Sequence, residues 1–460
     1  MQAVSFSRIP ALALKQWRKV NAVLAGRDAL LSLDVLPFLN RADKSQENIE
    51  RNNAYRDRAI FFSATSRTLD GLLGMAFANN PTQSLPAPLA SLSDDVDGAG
   101  LSLNQQVQDV LAATLAVGRA GLLVDYQAAG ASIKSYSAES IINWRTESGE
   151  LTLLVLHETV EMPEIGGFGI DVVNQYREFR LINGRCVARL WRDNSGYTDL
   201  VPMPDSSGTY VYELELKTLT GSLGVIPFVF VGAKNNDASI DRPPMLALAE
   251  VNIGHFRNSA DYEDSVFWSG QSQPYITGID DADNAAGIKM GPRSPIILPQ
   301  GGEFGYAQPG INSMVFEAMA QKERQMLALG ARLIDSSQKI MTATQSSSES
   351  KISMSILSAC AENVSAAYQK AIGLCALFLG IKLTTEELRS AYKITPDFVG
   401  PALDSQAIIA LTAAWQSGVI ALPDLRDYLR ASGVIAQERT NELIDADIEL
   451  QGPALGVMSA

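Results

Sequence analysis

The sequence contains few of the residues that usually carry catalysis. It has two histidines, His157 and His255, and three cysteines among 460 residues. It has no G-x-x-x-x-G-K-[ST], H-E-x-x-H, C-x-x-C or G-x-S-x-G segment. These are the common signals of a phosphate-binding loop, a zinc protease, a redox thiol pair and a hydrolase nucleophile. We therefore expect both histidines to be structural and the chain not to be an enzyme.

No metal-binding pattern is complete either. The stretch Asp281-Ala282-Asp283-Asn284 resembles the start of a calcium loop, which needs glycine at its sixth position and glutamate at its twelfth. Those positions hold Ala286 and Pro292. The three cysteines are too few and too far apart for a zinc site. We predict no metal and no cofactor.

Basic residues are outnumbered by acidic ones. There are 37 lysines and arginines against 51 aspartates and glutamates, which gives a net charge of −14 and a pI near 4.8. Such a surface favours solubility and repels nucleic acid at long range. The charge therefore argues against a protein that grips DNA by neutralising many phosphates, but it allows one that merely surrounds DNA.

Cysteine usage and hydropathy place the chain among proteins of a reducing compartment. Cys186, Cys360 and Cys375 are expected to be reduced and buried. The longest apolar run, 371–381, is about half of what a bilayer requires, and the first twenty residues show no signal-peptide pattern. We expect no membrane association.

Hydrophobic periodicity divides the chain into helical, β-rich and again helical parts. Asn183-Gly184, between two alternating runs, predicts a type I′ hairpin turn. "GLLVDY", "LTLLVLHETVEM" and "TYVYELELKTL" read as strands of the β-rich part, 121–235. Helices are predicted over 10–33, 41–80 as one long element, 103–118 with its end at Gly118, 243–268, 311–334 and 347–380. Beyond residue 400, two short helices are predicted on either side of 417–435.

Two of these helices have informative faces. On 311–334, a lysine, Lys322, lies within the apolar stripe, Arg324 points away from the stripe and Arg332 lies on its flank. The stripe consists of Ile311, Val315, Met319, Met326, Leu329 and Leu333. On 243–268, Asn252 and Ser259 interrupt the apolar positions. This favours packing between subunits over a deep core, although a surface helix would show the same pattern.

A polar segment, 335–346, precedes the last long helix. Ser346 and Glu349 have the spacing of a capping box, so the helix is predicted to begin near residue 347. The segment before it has Lys339 as its one basic group.

Several stretches, spread over roughly residues 15–400, resemble a known family in their order and spacing. They are "AYRDRAIFFSATSRTLDGLLGMAFANNP", "SAESIINWR", "GVIPFVFVGAKN", "PPMLALAEVNIGHFRNSADYEDSVFWSGQSQPYITG" and "TATQSSSESKISMSILSACAENVSAAYQKAIGLCALFLG". Together they are similar to tailed-bacteriophage portal proteins of the type that contains uncharacterised domain 4055.

The resemblance implies an α+β portal fold with a wing, a helical stem, a small β-containing clip, a tunnel loop and a helical crown. The crown is short here, which departs from portals with a long C-terminal barrel. The implied regions are an N-terminal wing 1–240, stem helices 241–270 and 311–334, a clip 271–310, a tunnel loop 335–346, a wing helix and return 347–399, and a crown 400–460.

The resemblance also implies a function. Portal proteins form rings, usually of twelve subunits, at one capsid vertex, and double-stranded DNA enters and leaves through them. The implied partners are other copies of the chain, viral DNA, the terminase motor, a head–tail adaptor and the major capsid protein. The chain would be assembled in the host bacterial cytoplasm and reside in the virion. The DNA-channel candidates are Arg324, Arg332, Lys339, Thr342 and Thr344.

Two other interpretations remain open at the level of sequence. The chain could be a different connector or assembly ring protein of the virion without enzymatic activity. It could also be a soluble enzyme whose site carries no recognisable motif.

Overall fold

The chain folds into a mixture of helices and mainly antiparallel sheets. The computed structural model describes residues 4–127, 130–163, 167–194, 197–204, 210–271, 273–278, 300–307, 313–334 and 355–395, with residue 298 and parts of 413–450. The helices are α1 (Ala11–Ala25), α2 (Arg27–Ser32), α3 (Gln46–Arg58), α4 (Ala64–Ala76), α5 (Leu103–Val117), α6 (Leu246–Gly270), α7 (Ser313–Ile334), α8 (Ile356–Phe378), α9 (Thr385–Ala391), α10 (Leu422–Ala431) and α11 (Asn441–Leu450).

The strands follow α4 along the chain, and most of them lie between α5 and α6. They are β1 (Thr82–Gln83), β2 (Arg119–Gln127), β3 (Gly130–Ser137), β4 (Ile141–Glu147), β5 (Glu150–Pro163), β6 (Ile170–Ile182), β7 (Arg185–Asn194), β8 (Tyr197–Val201), β9 (Met203–Pro204), β10 (Tyr210–Val211), β11 (Leu214–Glu215), β12 (Lys217–Thr218), β13 (Gly221–Ser222), β14 (Phe228–Gly232), β15 (Gln273–Thr277), β16 (Glu303–Ala307) and β17 (Tyr392–Lys393).

The single helix predicted over 41–80 is wrong. The structure has α3 and α4 instead, separated by non-helical residues 59–63. The sequence carries no glycine or proline at this break. Its backbone groups are satisfied by side chains of α6, as described below, so the break is set by tertiary contacts that periodicity does not reveal.

The β-rich part forms two larger antiparallel sheets. One has the strand order β14-β2-β3, and the other has the order β11-β7-β6-β5-β4 with β8 paired to β7. Asn183 and Gly184 have φ values of 50° and 74°, which confirms the predicted turn between β6 and β7. The strand predicted over 209–219 is wrong in detail, because this stretch holds three two-residue strands, of which Leu214–Glu215 pairs with β7.

A polar network joins the two sheets. The Tyr136 hydroxyl on β3 donates to Glu158 on β5, and Gln175 on β6 donates to the same carboxylate at 2.7 Å. The Arg177 guanidinium lies 3.1 Å from Glu158 and 3.5 Å from Asp125 on β2. Burial raises the pKa of Tyr136, so its hydroxyl remains a donor. Opposite charges within the network satisfy one another, which removes the cost of burying them singly.

Helix α8 is central to the core of residues 1–395. Twelve of its residues are buried, including Cys360, Tyr368 and Cys375, and it packs against β2, β14 and α5. Ser355 is its N-cap, in extended conformation, and its hydroxyl accepts from the Ser358 amide at 3.1 Å. The predicted helix start near 347 is therefore wrong, and the capping box at Ser346 and Glu349 lies outside the described residues.

The chain divides into two units, residues 1–395 and 396–460. In the second unit an ion pair links α10 to α11, because Arg426 on α10 binds Asp445 on α11 at 2.6 Å. Arg439, which precedes α11, binds Asp447 on the same helix. Helix α10 lies inside the segment 417–435 that the sequence pattern placed between two helices.

Candidate functional site: the helix pair and its exposed face

Helices α6 and α7 pack against each other as an antiparallel pair. Three contacts show the direction: Gly254 meets Lys322, His255 meets Glu323, and the rings of Tyr262 and Phe316 lie 6.1 Å apart. The ends of the pair lead into β15 and β16, which form a two-stranded antiparallel ribbon. The sequence-predicted order of helix, small β segment and helix is thus present in the described residues.

The apolar stripe predicted on α7 faces inward. Met326 and Leu333 are buried, and Val315, Met319 and Leu329 are half-buried. Ile311 lies outside the described residues. Leu329 and Leu333 are separated by one helical turn, which is the spacing that keeps them on one face. The helix is therefore oriented by hydrophobic burial, and its opposite face stays in solvent.

The aliphatic part of the Lys322 side chain packs against α6 at Gly254. A Cβ added to Gly254 would be 3.1 Å from the Lys322 Cε and 3.5 Å from its Cδ. Glycine at position 254 therefore leaves room for the lysine stem to cross the partner helix. The half-buried lysine within an apolar stripe agrees with the snorkelling geometry that such a position predicts.

His255 connects the two helices. Its side chain is 4% exposed, and Nε2 lies 3.3 Å from a carboxylate oxygen of Glu323. Its ring also lies 5.6 Å from that of Phe62. Nδ1 is buried and has no hydrogen-bond partner among the described residues. The contacts are those of a packing residue, in keeping with the structural role expected for this histidine.

The polar residues of α6 pack within the chain, which corrects the interpretation that they face another subunit. Asn252 is fully buried, accepts from the Thr65 amide and hydroxyl, and donates to the Phe62 carbonyl at 2.8 Å. The Ser259 hydroxyl accepts from the Ile60 amide at 2.9 Å. These bonds supply partners to the backbone between α3 and α4, where helical bonds are missing.

Arginines of α3 fix the far end of α6. The Arg58 guanidinium binds Asp264 at 2.9 Å and lies 3.6 Å from the centre of the Phe267 ring. Arg51 approaches the same carboxylate at 3.7 Å and lies over Trp268. Charge pairing and cation–π contact together hold this end of the helix against the rest of the chain.

The predicted DNA-channel residues have different outcomes. Arg324 is on the exposed face of α7, opposite the buried stripe, and its Nε donates to the Ala320 carbonyl at 3.3 Å. Arg332 is in the same helix, but its side chain is outside the described residues. Lys339, Thr342 and Thr344, with the whole segment 335–346, are also outside the described residues.

An apolar surface around the end of the helix pair was not predicted from the sequence. Its exposed members come from α6, the ribbon and α7. They are Val266, Trp268, Tyr275, Phe304, Tyr306, Met314 and Phe316. The alternation of aromatic residues in β16, with Phe304 and Tyr306 two positions apart, is the signal that could have indicated it. Monomeric proteins rarely expose large contiguous apolar patches, so exposed apolar surface of this kind often marks a contact with another molecule.

Two other features are absent from the part of the chain that the structure describes. No group of three histidine, cysteine or carboxylate side chains is arranged to hold a metal ion. None of the described helices has the length and hydropathy needed to cross a membrane. The stretch 281–284 lies outside the described residues.

Comparisons with known proteins give a limited set of similarities. No curated protein matches the chain. A chain from the neck of an empty GTA particle, computed with C6 symmetry, is 13% identical, with 79% of this chain and 88% of that chain covered and a TM-score of 0.37. A chain from the neck of a native GTA particle, computed with C12 symmetry, is also 13% identical, with 80% and 89% covered and a TM-score of 0.36.

A family model matches one segment of the chain. It is described as a domain of unknown function, DUF4055. The matched segment is residues 244–379, which contain the helix pair and α8. For this segment, the match confirms the predicted similarity to proteins that contain domain 4055.

Proposed function

We propose that the chain is a structural protein of a phage-like virion and, within that class, a portal subunit. Copies of it would form a ring at one capsid vertex through which double-stranded DNA passes. The terminase motor, and later the tail adaptor, would dock on the ring. The chain would act as a conduit without catalysis of its own, be assembled in the host cytoplasm and remain in the virion.

The helix pair is the observation that carries this proposal. One face of α7 is buried against α6, while the other face, with Arg324, remains exposed. In the portal type that the sequence resembles, a stem of two helices surrounds the channel. An exposed face with few charges in an acidic chain suits passage of DNA, because a strongly basic wall would bind a polymer that carries one charge about every 1.7 Å.

The first experiment asks whether a ring exists. The purified chain is viewed end-on by negative-stain electron microscopy, and its mass is measured by native mass spectrometry. We expect a closed ring with a central hole and the mass of about twelve subunits, because a head-to-tail interface whose rotation closes gives a cycle. Only monomers or dimers at micromolar concentration would contradict the proposal.

The second experiment separates a DNA conduit from another kind of connector ring. Lys339→Glu reverses a charge in the proposed tunnel loop at every subunit, and Lys339→Ala removes it. Both variants should form rings, and Lys339→Glu should lower DNA filling or retention more than Lys339→Ala. Leu333→Asp is the contrasting variant, because it places a charge in the buried stripe and should prevent assembly. If rings of the Lys339→Glu variant fill with DNA as well as the parent does, Lys339 does not line the channel.

A further inference from the structure

The β5–β6 hairpin extends beyond the sheet to which it belongs. β6 pairs with β7 from Gln175 onward, and β4 pairs with β5 only up to Leu156. From the Thr159–Asn174 pair to the Pro163–Ile170 pair, no third strand of the described chain joins β5 and β6. We call residues 159–163 and 170–174 the arm. Five residue pairs give it a length of about 17 Å.

The arm exposes apolar side chains at its end. Ile170 and Val172 are 61% and 65% exposed, and Phe168, in the connection, is fully exposed. Ile170 and Val172 lie on one face because strand residues two apart point the same way, and Glu161 is directly opposite Val172 on that face. An isolated two-stranded hairpin is marginally stable in water, so this arm needs a surface to cover it.

The charged residues of the arm and of the segments next to it are all acidic. Residues 157–174 contain Glu158, Glu161, Glu164 and Asp171, and no lysine or arginine. Glu158 is engaged by Arg177 at the base of the arm. Glu161 and Asp171 are solvent-exposed. A surface that covers the arm should therefore be apolar with basic residues at its border.

A groove with these properties lies between α8 and α9. Its volume is about 480 Å³. Its lining combines leucines and an isoleucine with two lysines and contains no carboxylate. The lining residues are Lys370, Gly373, Leu374, Leu377, Ile381, Lys382, Leu383 and Leu388. Leu377 is 42% exposed, and Leu219, whose amide donates to the Phe378 carbonyl, adds a leucine that is 69% exposed at the end of α8.

We propose that the arm of one copy of the chain docks in the groove of a neighbouring copy. Ile170 and Val172 would cover the leucines, and Glu161 would approach Lys382 or Lys370. In the proposed ring this contact is head-to-tail, so each copy gives its arm to one neighbour and receives an arm from the other. The inference rests on the proposed ring and specifies a contact that holds its subunits together.

Cysteine cross-linking tests the contact directly. Ile170→Cys and Leu377→Cys are introduced into one chain, and assembled rings are treated with a flexible bismaleimide. The native thiols are buried, and burial raises the pKa of each to about 12, so they should not react near neutral pH. We expect a ladder of covalent oligomers on a denaturing gel. Asp171→Cys with Leu377→Cys is the matched control, because residue 171 lies on the opposite face of the arm, and its ladder should be lost.

The outcomes separate this inference from the proposed function. Rings that give no ladder with the Ile170→Cys pair, or that give only a cross-link within one chain, would overturn the arm–groove contact and leave the portal proposal standing. Absence of any ring would refute the portal proposal and this contact with it. A charge exchange gives an independent readout: Glu161→Lys should lower the ladder yield, and adding Lys382→Glu should restore it.

Discussion

At the scale of single residues, Asn252 supplies hydrogen-bond partners where the chain breaks between α3 and α4. Its side-chain amide makes three hydrogen bonds there, one to the Phe62 carbonyl and two to Thr65, a fully buried residue in the first turn of α4. Asn252→Ala leaves the Thr65 amide and the Phe62 carbonyl without this partner. We expect the free energy of unfolding to fall by roughly 2 kcal/mol or more, since an unsatisfied buried polar group costs about 1–3 kcal/mol. Denaturant unfolding measures this.

Glu250→Gln is the matched control on the same helix. Glu250 pairs with Lys19 at 2.6 Å, but both side chains are partly exposed. Surface ion pairs contribute about 0–1 kcal/mol, so this change should have a small effect. Equal stabilities of the Asn252→Ala and Glu250→Gln proteins would contradict the role given to Asn252.

The cysteines give a second prediction at this scale. Burial raises the pKa of Cys186, Cys360 and Cys375 from 9.0 to about 12. A thiol reagent at pH 8 should therefore titrate no cysteine in the folded chain and three in denaturant, because the thiolate is the reactive form.

The same pKa shifts predict a pH dependence of stability. A raised folded-state pKa contributes stability that is fully present below pH 9 and is lost as the pH rises from 9 towards 12. Serine at all three positions should weaken the dependence over this range, which thermal unfolding at several pH values can measure. If the triple-serine protein kept the same loss of stability with rising pH, other groups would be its cause. Tyr55 is one candidate, because burial raises its pKa as well.

At the scale of secondary-structure elements, α7 has two faces with separate roles. Met326 is 3% exposed and belongs to the hydrophobic core, whereas the next residue, Leu327, is 75% exposed. Met326→Ala should lower the free energy of unfolding by about 2–5 kcal/mol, the range for removing a large buried side chain. Denaturant unfolding of a dissociated chain measures the change.

Leu327→Ala is the control, and it should leave the stability of the single chain within about 0.5 kcal/mol of the parent, as for most exposed positions. An effect of Leu327→Ala on ring formation without an effect on chain stability would assign the exposed face of α7 to contacts with other molecules. A loss of stability in Leu327→Ala as large as that in Met326→Ala would contradict the two-faced description of the helix.

At the scale of the whole molecule, we predict that the pure protein does not hydrolyse ATP. The sequence lacks a phosphate-binding loop, and a packaging motor would have to be a separate protein. Phosphate release is measured across a gel-filtration profile. An ATPase activity that follows the protein peak at constant specific activity would contradict the prediction, whereas activity in only part of the peak indicates a contaminant.

Local signals in the sequence were sufficient to predict where an element ends when nearby residues determine that boundary. Asn183-Gly184 set the hairpin turn because both residues tolerate positive φ. Gly118 ended α5 in the left-handed conformation for the same reason. The inward face of α7 followed from periodicity alone, since apolar residues at helical spacing can be buried together in only one orientation.

Contacts between distant residues decided what the sequence could not. The break between α3 and α4 depends on Asn252 and Ser259, about 190–200 positions away along the chain. Periodicity alone predicts an intersubunit face for the same two residues, because a polar residue in an apolar stripe has the same spacing whether its partner is in another chain or in its own. The start of α8 differs from the predicted start near residue 347 because Ser355 is its N-cap, and Ser355 lacks the glutamate or glutamine three positions later that would mark a capping box.

Local propensity and periodicity were thus enough to predict the mixed fold, the β hairpin and the two helices 243–268 and 311–334, and the number and spacing of the cysteines indicated that they are free. Only the tertiary structure decided the buried partners of Asn252, the network around Glu158, the protruding arm and the groove beside α8. These features arise where segments far apart in the chain meet, and the free energy of such contacts depends on which groups they leave buried or exposed.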